Sequence, residues 1–263
     1  MKRVVFTIPS YRRPDRQHFV KWLHEIGVPK ADIYIFTQND EDRAAYRASV
    51  GGIANVVGEN GVGISFNRNQ SMRLSVPDAR VVQVDDGVRY VGIKGVGRIR
   101  DAKRLVAMCN LFFDFCEKRG YAQWSIGKAS NPLCMTGRDK IDYPFFGTFV
   151  GMIDRSDPFN PSMKMMEDLE RNCRMLRAGK HMIIFDYAHV DCKHNQGGGA
   201  GRPPCKGRER GSRREHHLSH LPKHGTAQNR RKERGQPALR MGASPHDEAR
   251  NVSWQDLTQA KGR

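Results

Sequence analysis

The chain has 263 residues, with 45 Lys and Arg against 28 Asp and Glu and a formal charge of +17. Residues 201–263 hold 15 of the basic and 6 of the acidic residues, lack Ile, Phe and Tyr, and contain only Val252 and Trp254 as Val and Trp. They cannot bury enough apolar area to offset the entropy of ordering them, so the core is expected within the first two hundred residues.

Arg3 to Ile8 is a β-branched and aromatic run stopped by Pro9, the pattern of a buried strand ending in a turn. Pro14 and Asp15 open a helix that carries Phe19, Val20, Leu23 and Ile26 on one face and closes at Gly27. Ile33 to Thr37 reads as a strand, Glu41 to Ala48 as a helix, Ala54 to Val57 as a strand and Ser65 to Leu74 as a helix. Ala79 to Val84 is then a strand running directly into Asp85 and Asp86. This alternation predicts right-handed β-α-β units and a mostly parallel central sheet. In the second half, Ile99 to Glu117 has the apolar stripe of a packing helix. Trp124 to Ile126 and Phe145 to Ile153 read as strands, the latter interrupted by Gly147 and Gly151, where the backbone can bend or approach a ligand closely; Met163 to Leu176 reads as a helix and His181 to Val190 as the last strand. No eighteen-residue apolar run occurs, and Pro9, Arg12, Arg13 and Asp15 break the apolar stretch near the start. Neither a membrane span nor a secretory signal is expected.

Of the six cysteines, Cys109, Cys116, Cys134, Cys173, Cys192 and Cys205, none forms a C-x-x-C pair, and several sit in apolar segments. That usage predicts a reducing, cytoplasmic compartment without structural zinc. Cys192 and His194 are at most half of a metal site.

Ligands in open α/β sheets lie outside the carboxyl ends of the strands, which makes the residues after each apolar run the informative ones. Here they are polar: Pro9, Ser10, Tyr11 and Arg12 after the first strand, Gln38, Asn39 and Asp40 after the second, Asp85 and Asp86 after the fourth. Two adjacent carboxylates either recruit a cation or form a solvated Asp-Asp-Gly turn, and spacing alone weights these equally. Arg68 and Asn69 sit near the start of a helix, where a guanidinium can meet a phosphate. Glu167 and Asp168 follow a glycine-containing strand, and His194 precedes a run of glycines. Each has a bland alternative as a surface base, an exposed charge pair or a structural histidine.

The order TIPSYRRPD, GISFNRN, QVDDG, FFGTFVG, MMEDLE and a late His resembles the nucleotide-sugar glycosyltransferases of the A-type (GT-A) fold. Within that superfamily the NRN helix, the VDD strand and the HNQGG segment are most similar to the TET-associated glycosyltransferases, mainly phage-associated enzymes thought to glycosylate hydroxymethylated pyrimidines in DNA. The resemblance covers residues 1–199. It implies a single α/β, GT-A-like (Rossmann-like) domain over 1–199; the composition of 200–263 predicts a basic, low-complexity, disordered tail after it. It also implies a divalent metal, manganese or magnesium, held by Asp86 and His194 with Asp85 beside them. Asp168 is then the general base with Glu167 next to it, and Pro9, Ser10, Tyr11, Arg12, Arg68 and Asn69 line the donor. The partners implied are a nucleotide sugar and DNA as acceptor, in the cytoplasm, or the host cytoplasm for a phage-encoded chain. The middle Asp of V-D-D departs from the usual D-x-D and leaves the division of labour between Asp85 and Asp86 open. A protein or glycan acceptor, and a non-enzymatic nucleic-acid-binding module, are the competing readings. The tail itself has two readings, a basic DNA-binding arm or a frameshifted end, because a one-base shift within codons the residues allow restores Ile, Leu, Tyr and Trp there.

Overall fold

The computed structural model describes residues 1–127, 135–145, 147–163 and 165–192. His194, Cys134, Cys205, the glycine run and the tail lie outside the described residues.

The first half follows the expected alternation. β1 (Arg3–Pro9) is buried from Val4 onward, and β2 (Ile33–Phe36), β3 (Asn55–Val57) and β4 (Ala79–Val84) follow it, separated by α1 (His18–Glu25), α2 (Asp40–Val50) and α3 (Ile64–Arg73). The expected helix from Pro14 is split. Pro14–Arg16 form a separate 3-10 turn, because the Gln17 amide folds back onto the Arg13 carbonyl and the Ser10 hydroxyl. α2 is capped by Asn39, whose side-chain oxygen accepts the Asp42 amide at 2.7 Å.

Residues 88–98, unassigned from sequence, form a hairpin of β5 (Val88–Ile93) and β6 (Gly97–Arg98). α4 (Ala102–Arg119) carries the expected apolar stripe and ends on left-handed Gly120, φ 71°. β7 (Tyr121–Gly127), β8 (Lys140–Ile141), β9 (Phe149–Met152), α5 (Glu167–Arg177) and β10 (His181–Cys192) complete the described fold. β9 starts later than the expected Phe145, since Gly147 and Thr148 turn. α5 starts four residues after the expected Met163, since Met166 takes a left-handed φ of 59°.

The sheet order is β3-β2-β1-β4-β9-β7-β10-β5-β6, with β8 beside β10. β1, β2, β3 and β4 pair in parallel, as do β7 and β10, while β9 is inserted antiparallel between β4 and β7. β4 and β7 therefore point the same way, giving a mostly parallel mixed α/β sheet. One edge of that sheet collects the carboxyl ends of β1, β2, β4 and β7 and, because β9 is reversed, its amino end. Thr148 accepts the Asp85 amide at 3.0 Å across that edge.

The core is aromatic. Phe112 stacks on Phe185 at 4.0 Å between centroids, Phe112 and Phe113 meet Trp124 edge-on, and Trp124 lies over Gly151. A Cβ at Gly151 would fall 1.9 Å from the Trp124 ring, so only glycine admits the indole there. Cys109 and Cys116 are buried in this core and act as small apolar residues, burial holding both thiols well above the ordinary range. Among the described residues no helix is long and apolar enough to cross a membrane.

Candidate functional site

α3 is unusual in burying polar residues: Ser65, Asn67, Arg68, Gln70 and Ser71 all face protein. Such a helix is held by hydrogen bonds rather than by an apolar stripe, so each of its side chains must find a specific partner. Asn67 donates to the Ser10 carbonyl at 3.1 Å, tying α3 to the end of β1. Asn69 grips the Phe159 backbone from both sides, donating to its carbonyl at 2.8 Å and accepting its amide at 2.7 Å.

Arg68, between them, is 3% exposed. Its guanidinium donates to Glu167 Oε1 at 2.9 Å, Gln83 Oε1 at 2.8 Å, the Gly147 carbonyl at 3.2 Å and Asp85 Oδ1 at 2.6 Å. One side chain thus joins α3, the end of β4, the turn before β9 and the first residue of α5. A buried cation is costly unless paired and hydrogen-bonded, and Arg68 pairs with two carboxylates and makes four hydrogen bonds, with every guanidinium nitrogen engaged.

The neighbouring carboxylates divide into two sets. Asp86 accepts from Ser10 Oγ at 2.7 Å and from Arg13 Nη1 at 3.0 Å. Ser10 is itself fixed by the Tyr46 hydroxyl at 2.6 Å and the Gln17 amide at 3.0 Å, and the Tyr46 hydroxyl also accepts the Arg13 amide at 2.9 Å. Burial pushes the Tyr46 phenol well above its ordinary pKa, so it stays a neutral donor. Asp168, on the other side, accepts the Gly147 amide at 2.6 Å on one oxygen and the Leu169 amide at 2.8 Å on the other. Both bonds run from backbone and leave lone pairs of each oxygen open. Gly147 separates Asp168 from Arg68 with no room to spare, since a Cβ there would lie 2.9 Å from Arg68 Nη1 and 3.2 Å from Asp168 Cβ.

Four carboxylates, Asp85, Asp86, Glu167 and Asp168, therefore stand against two guanidiniums, Arg13 and Arg68. The excess is two negative charges. Its effect is visible at Asp85, whose carboxyl is raised to about 6, first by burial and then by the neighbouring Asp86, Asp168 and Glu167, against the opposing pull of Arg68. Asp85 still leaves 35% of its side chain open.

The expected donor-side residues Pro9, Ser10, Tyr11 and Arg12 lie at the end of β1 beside Asp86. Pro9 and Ser10 are buried, whereas Arg12 is exposed, takes a left-handed φ of 53° and stacks its guanidinium 4.9 Å over the Tyr11 ring. Of the expected site residues, Ser10, Asp85, Asp86, Arg68, Glu167 and Asp168 converge. Asn69 is turned to Phe159, and His194 lies outside the described residues. Sequence reading missed Arg13, Gln17, Tyr46 and Gln83, of which only Gln83 left a signal, as a polar residue inside the apolar run of β4; Gly147 was expected to mark a bend or a close approach of the backbone, and it does.

Among the described residues no group of three or more His, Cys, Asp or Glu is arranged to hold a metal ion. The donor chemistry nevertheless fits a divalent cation in part: Asp85 and Asp86 are adjacent hard-oxygen donors within a doubly negative cluster, and Asp85 has an open face.

No family model matches the chain, and no curated protein matches it. Among solved structures it is similar to the mannosyltransferase PcManGT from Pyrobaculum calidifontis in complex with GDP-Man and Mn2+, at 15% identity and a TM-score of 0.47 over 69% of this chain. The chain spans 54% of that protein. It is also similar to CMP:2-keto-3-deoxy-manno-octonic acid synthetase complexed with CTP, at 13% identity, TM-score 0.40, over 70% of this chain and 89% of the other. A third is 4-diphosphocytidyl-2C-methyl-D-erythritol synthase from Anaerococcus prevotii DSM 20548, at 9% identity, TM-score 0.41, over 72% and 88%.

Proposed function

We propose that the chain is a glycosyltransferase that moves a sugar from a nucleotide-sugar donor to an acceptor hydroxyl, as its resemblance to the TET-associated glycosyltransferases implies. The observation that carries this reading is the convergence of Asp85, Asp86, Glu167 and Asp168 around Arg68 at the carboxyl edge of the sheet, with two negative charges in excess.

In this reading Asp86 and Asp85, with His194, would hold a divalent cation, which would supply positive charge to the donor diphosphate. Pro9, Ser10, Tyr11 and Arg12 line the donor nucleotide from the end of β1. Ser10 and Arg13 hold the Asp86 carboxylate in one orientation, so that no reorganisation is needed when the diphosphate arrives. Arg68 positions Asp85 and Glu167 rather than touching the donor, because its donors are engaged by protein acceptors. Asn69 acts at one remove, fixing the Phe159 segment that leads towards α5. Asp168 is the general base: its carboxylate is aimed by two backbone amides and takes the proton of the attacking hydroxyl. Glu167 keeps the start of α5 against Arg68 and so fixes where Asp168 stands.

The acceptor proposed is a hydroxymethylated pyrimidine in DNA, with a glycan or protein hydroxyl as the alternative. The test is to incubate the protein and manganese with a panel of nucleotide sugars and either hydroxymethylpyrimidine-containing DNA or neutral glycans, then digest and weigh the products. A hexose-sized mass gain on a nucleoside supports the DNA acceptor. A gain on the glycan alone moves the acceptor, and no gain on any acceptor with any donor refutes the transferase reading.

A further inference from the structure

An open groove of about 290 Å³ lies away from the carboxylate cluster, between α1 and the β5-β6 hairpin. His18, Lys21, Trp22, Glu25, Arg89, Tyr90 and Arg98 line it, and none of these belongs to the site around Arg68. Its chemistry is aromatic and cationic together. The Arg98 guanidinium stands 5.1 Å from the Tyr90 ring centre and 5.9 Å from that of Trp22, so one planar cation faces two aromatic surfaces. Lys21 is exposed at the rim, and Arg89 is ion-paired with Asp191 behind the groove.

Two lining residues also carry buried donors with no acceptor among the described residues: Trp22 Nε1 and Arg89 Nε. Trp22 is 2% exposed. The ion pair that Arg98 makes with Glu25 is long, 3.6 Å, and both partners are well exposed. Such a pair contributes little, which leaves the Arg98 guanidinium available to a ligand.

We infer that this groove binds one nucleotide unit: a planar heteroaromatic base stacked against Arg98 and Tyr90, with its phosphate met by Lys21. Stacking on an aromatic or guanidinium plane is sequence-tolerant and recurs in sites that hold single nucleotides of a strand. A free nucleotide and a nucleotide within a strand present the same chemistry, and the experiment separates them.

Trp22 makes the site self-reporting. In a full-length Trp254→Phe background, tryptophan fluorescence is followed while uridine monophosphate, an oligothymidylate or inorganic phosphate is added. Saturable quenching by the nucleotide or the oligonucleotide is expected, with at least tenfold weaker binding in Tyr90→Ala and in Arg98→Ala. Quenching by the monophosphate assigns a free nucleotide, and quenching by the oligonucleotide alone assigns a nucleotide within a strand. Asp86→Asn is expected to leave this binding intact, which separates it from the proposed donor site, so failure of the transferase reading does not remove it. Circular dichroism and thermal unfolding confirm that the variants fold. Equal affinity in Tyr90→Ala and Arg98→Ala, loss of quenching in Asp86→Asn, or quenching by neither the nucleotide nor the oligonucleotide, whatever phosphate does, overturns the inference.

Discussion

Gly147→Ala is the sharpest perturbation of the carboxylate cluster, because it adds one methyl group between the two residues that matter most. The new Cβ would lie 2.9 Å from Arg68 Nη1, 3.3 Å from Arg68 Cζ and 3.2 Å from Asp168 Cβ. An exposed arginine would swing away at little cost, but Arg68 is 3% exposed and held by four acceptors on three elements. Relief therefore requires the guanidinium to shift, and the bonds from Nη1 to Gln83 and to the Gly147 carbonyl, 2.8 and 3.2 Å long, are the first to stretch. Overpacking costs roughly 1–3 kcal/mol, and hydrogen bonds to charged groups are worth about 1.5–3 kcal/mol each when lost outright. With partial relaxation the expected destabilisation is about 3 kcal/mol, which for a domain of this size lowers Tm by about 6–12 °C. Asp168 moves with the turn, since Gly147 donates its amide to it at 2.6 Å. Turnover should fall more than donor affinity does. Urea unfolding gives the first quantity, and a kcat-against-KM comparison the second. Gly151→Ala is the control: its Cβ would strike the buried Trp124 ring far from the carboxylates, so stability falls without selective loss of kcat. A Gly147→Ala protein within about 0.5 kcal/mol of the parent, the spread of ordinary surface substitutions, would show that Arg68 is not rigidly held and refute the argument.

Asp168→Asn should retain nucleotide-sugar binding and lose transfer by roughly a hundredfold to ten-thousandfold, since an amide cannot take the acceptor proton; near-normal turnover in a mass-resolved product assay removes it as the base. Asp86→Asn should abolish manganese-dependent donor binding in calorimetric titration while leaving Tm within a few degrees, because a strand-end carboxylate opens no core cavity; undiminished affinity takes Asp86 out of the proposed metal site. Arg68→Ala strands Glu167 as a buried charge without its partner and should destabilise by about 3–5 kcal/mol in urea unfolding. Asp139 is raised to about 6, first by burial and then by Asp186, so the folded chain holds its proton more tightly than the unfolded chain. Its contribution is fully present below the ordinary value of 3.8 and is lost as pH rises through about 6. Asp139→Asn should therefore raise Tm at pH 7 and leave it unchanged at pH 4, and an equal shift at both values contradicts the assignment.

Much of the fold was legible because β1, β4 and the first helices are specified by local patterns. Apolar runs of β-branched residues stop at Pro9 and Asp85, and helices carry their own periodicity and caps. The β5-β6 hairpin was not legible: Val88–Ile93 depends on β10, reached through the register that sets Ala188 against Ile93, far along the chain. The reversed insertion of β9 between β4 and β7 is likewise a choice among partners, and period-two alternation reads the same in either direction. The site divides in the same way. Asp85, Asp86 and Asp168 could be singled out from sequence because carboxylates at a strand end and at a helix start carry their chemistry in their position. Arg68 reads equally well there as a surface base on a polar helix. Its burial comes from Glu167, 99 residues away, together with Gln83 and the Gly147 carbonyl. Sequence names the charges, but the cost of burying a guanidinium depends on which acceptors surround it, and only tertiary packing brings those acceptors within reach.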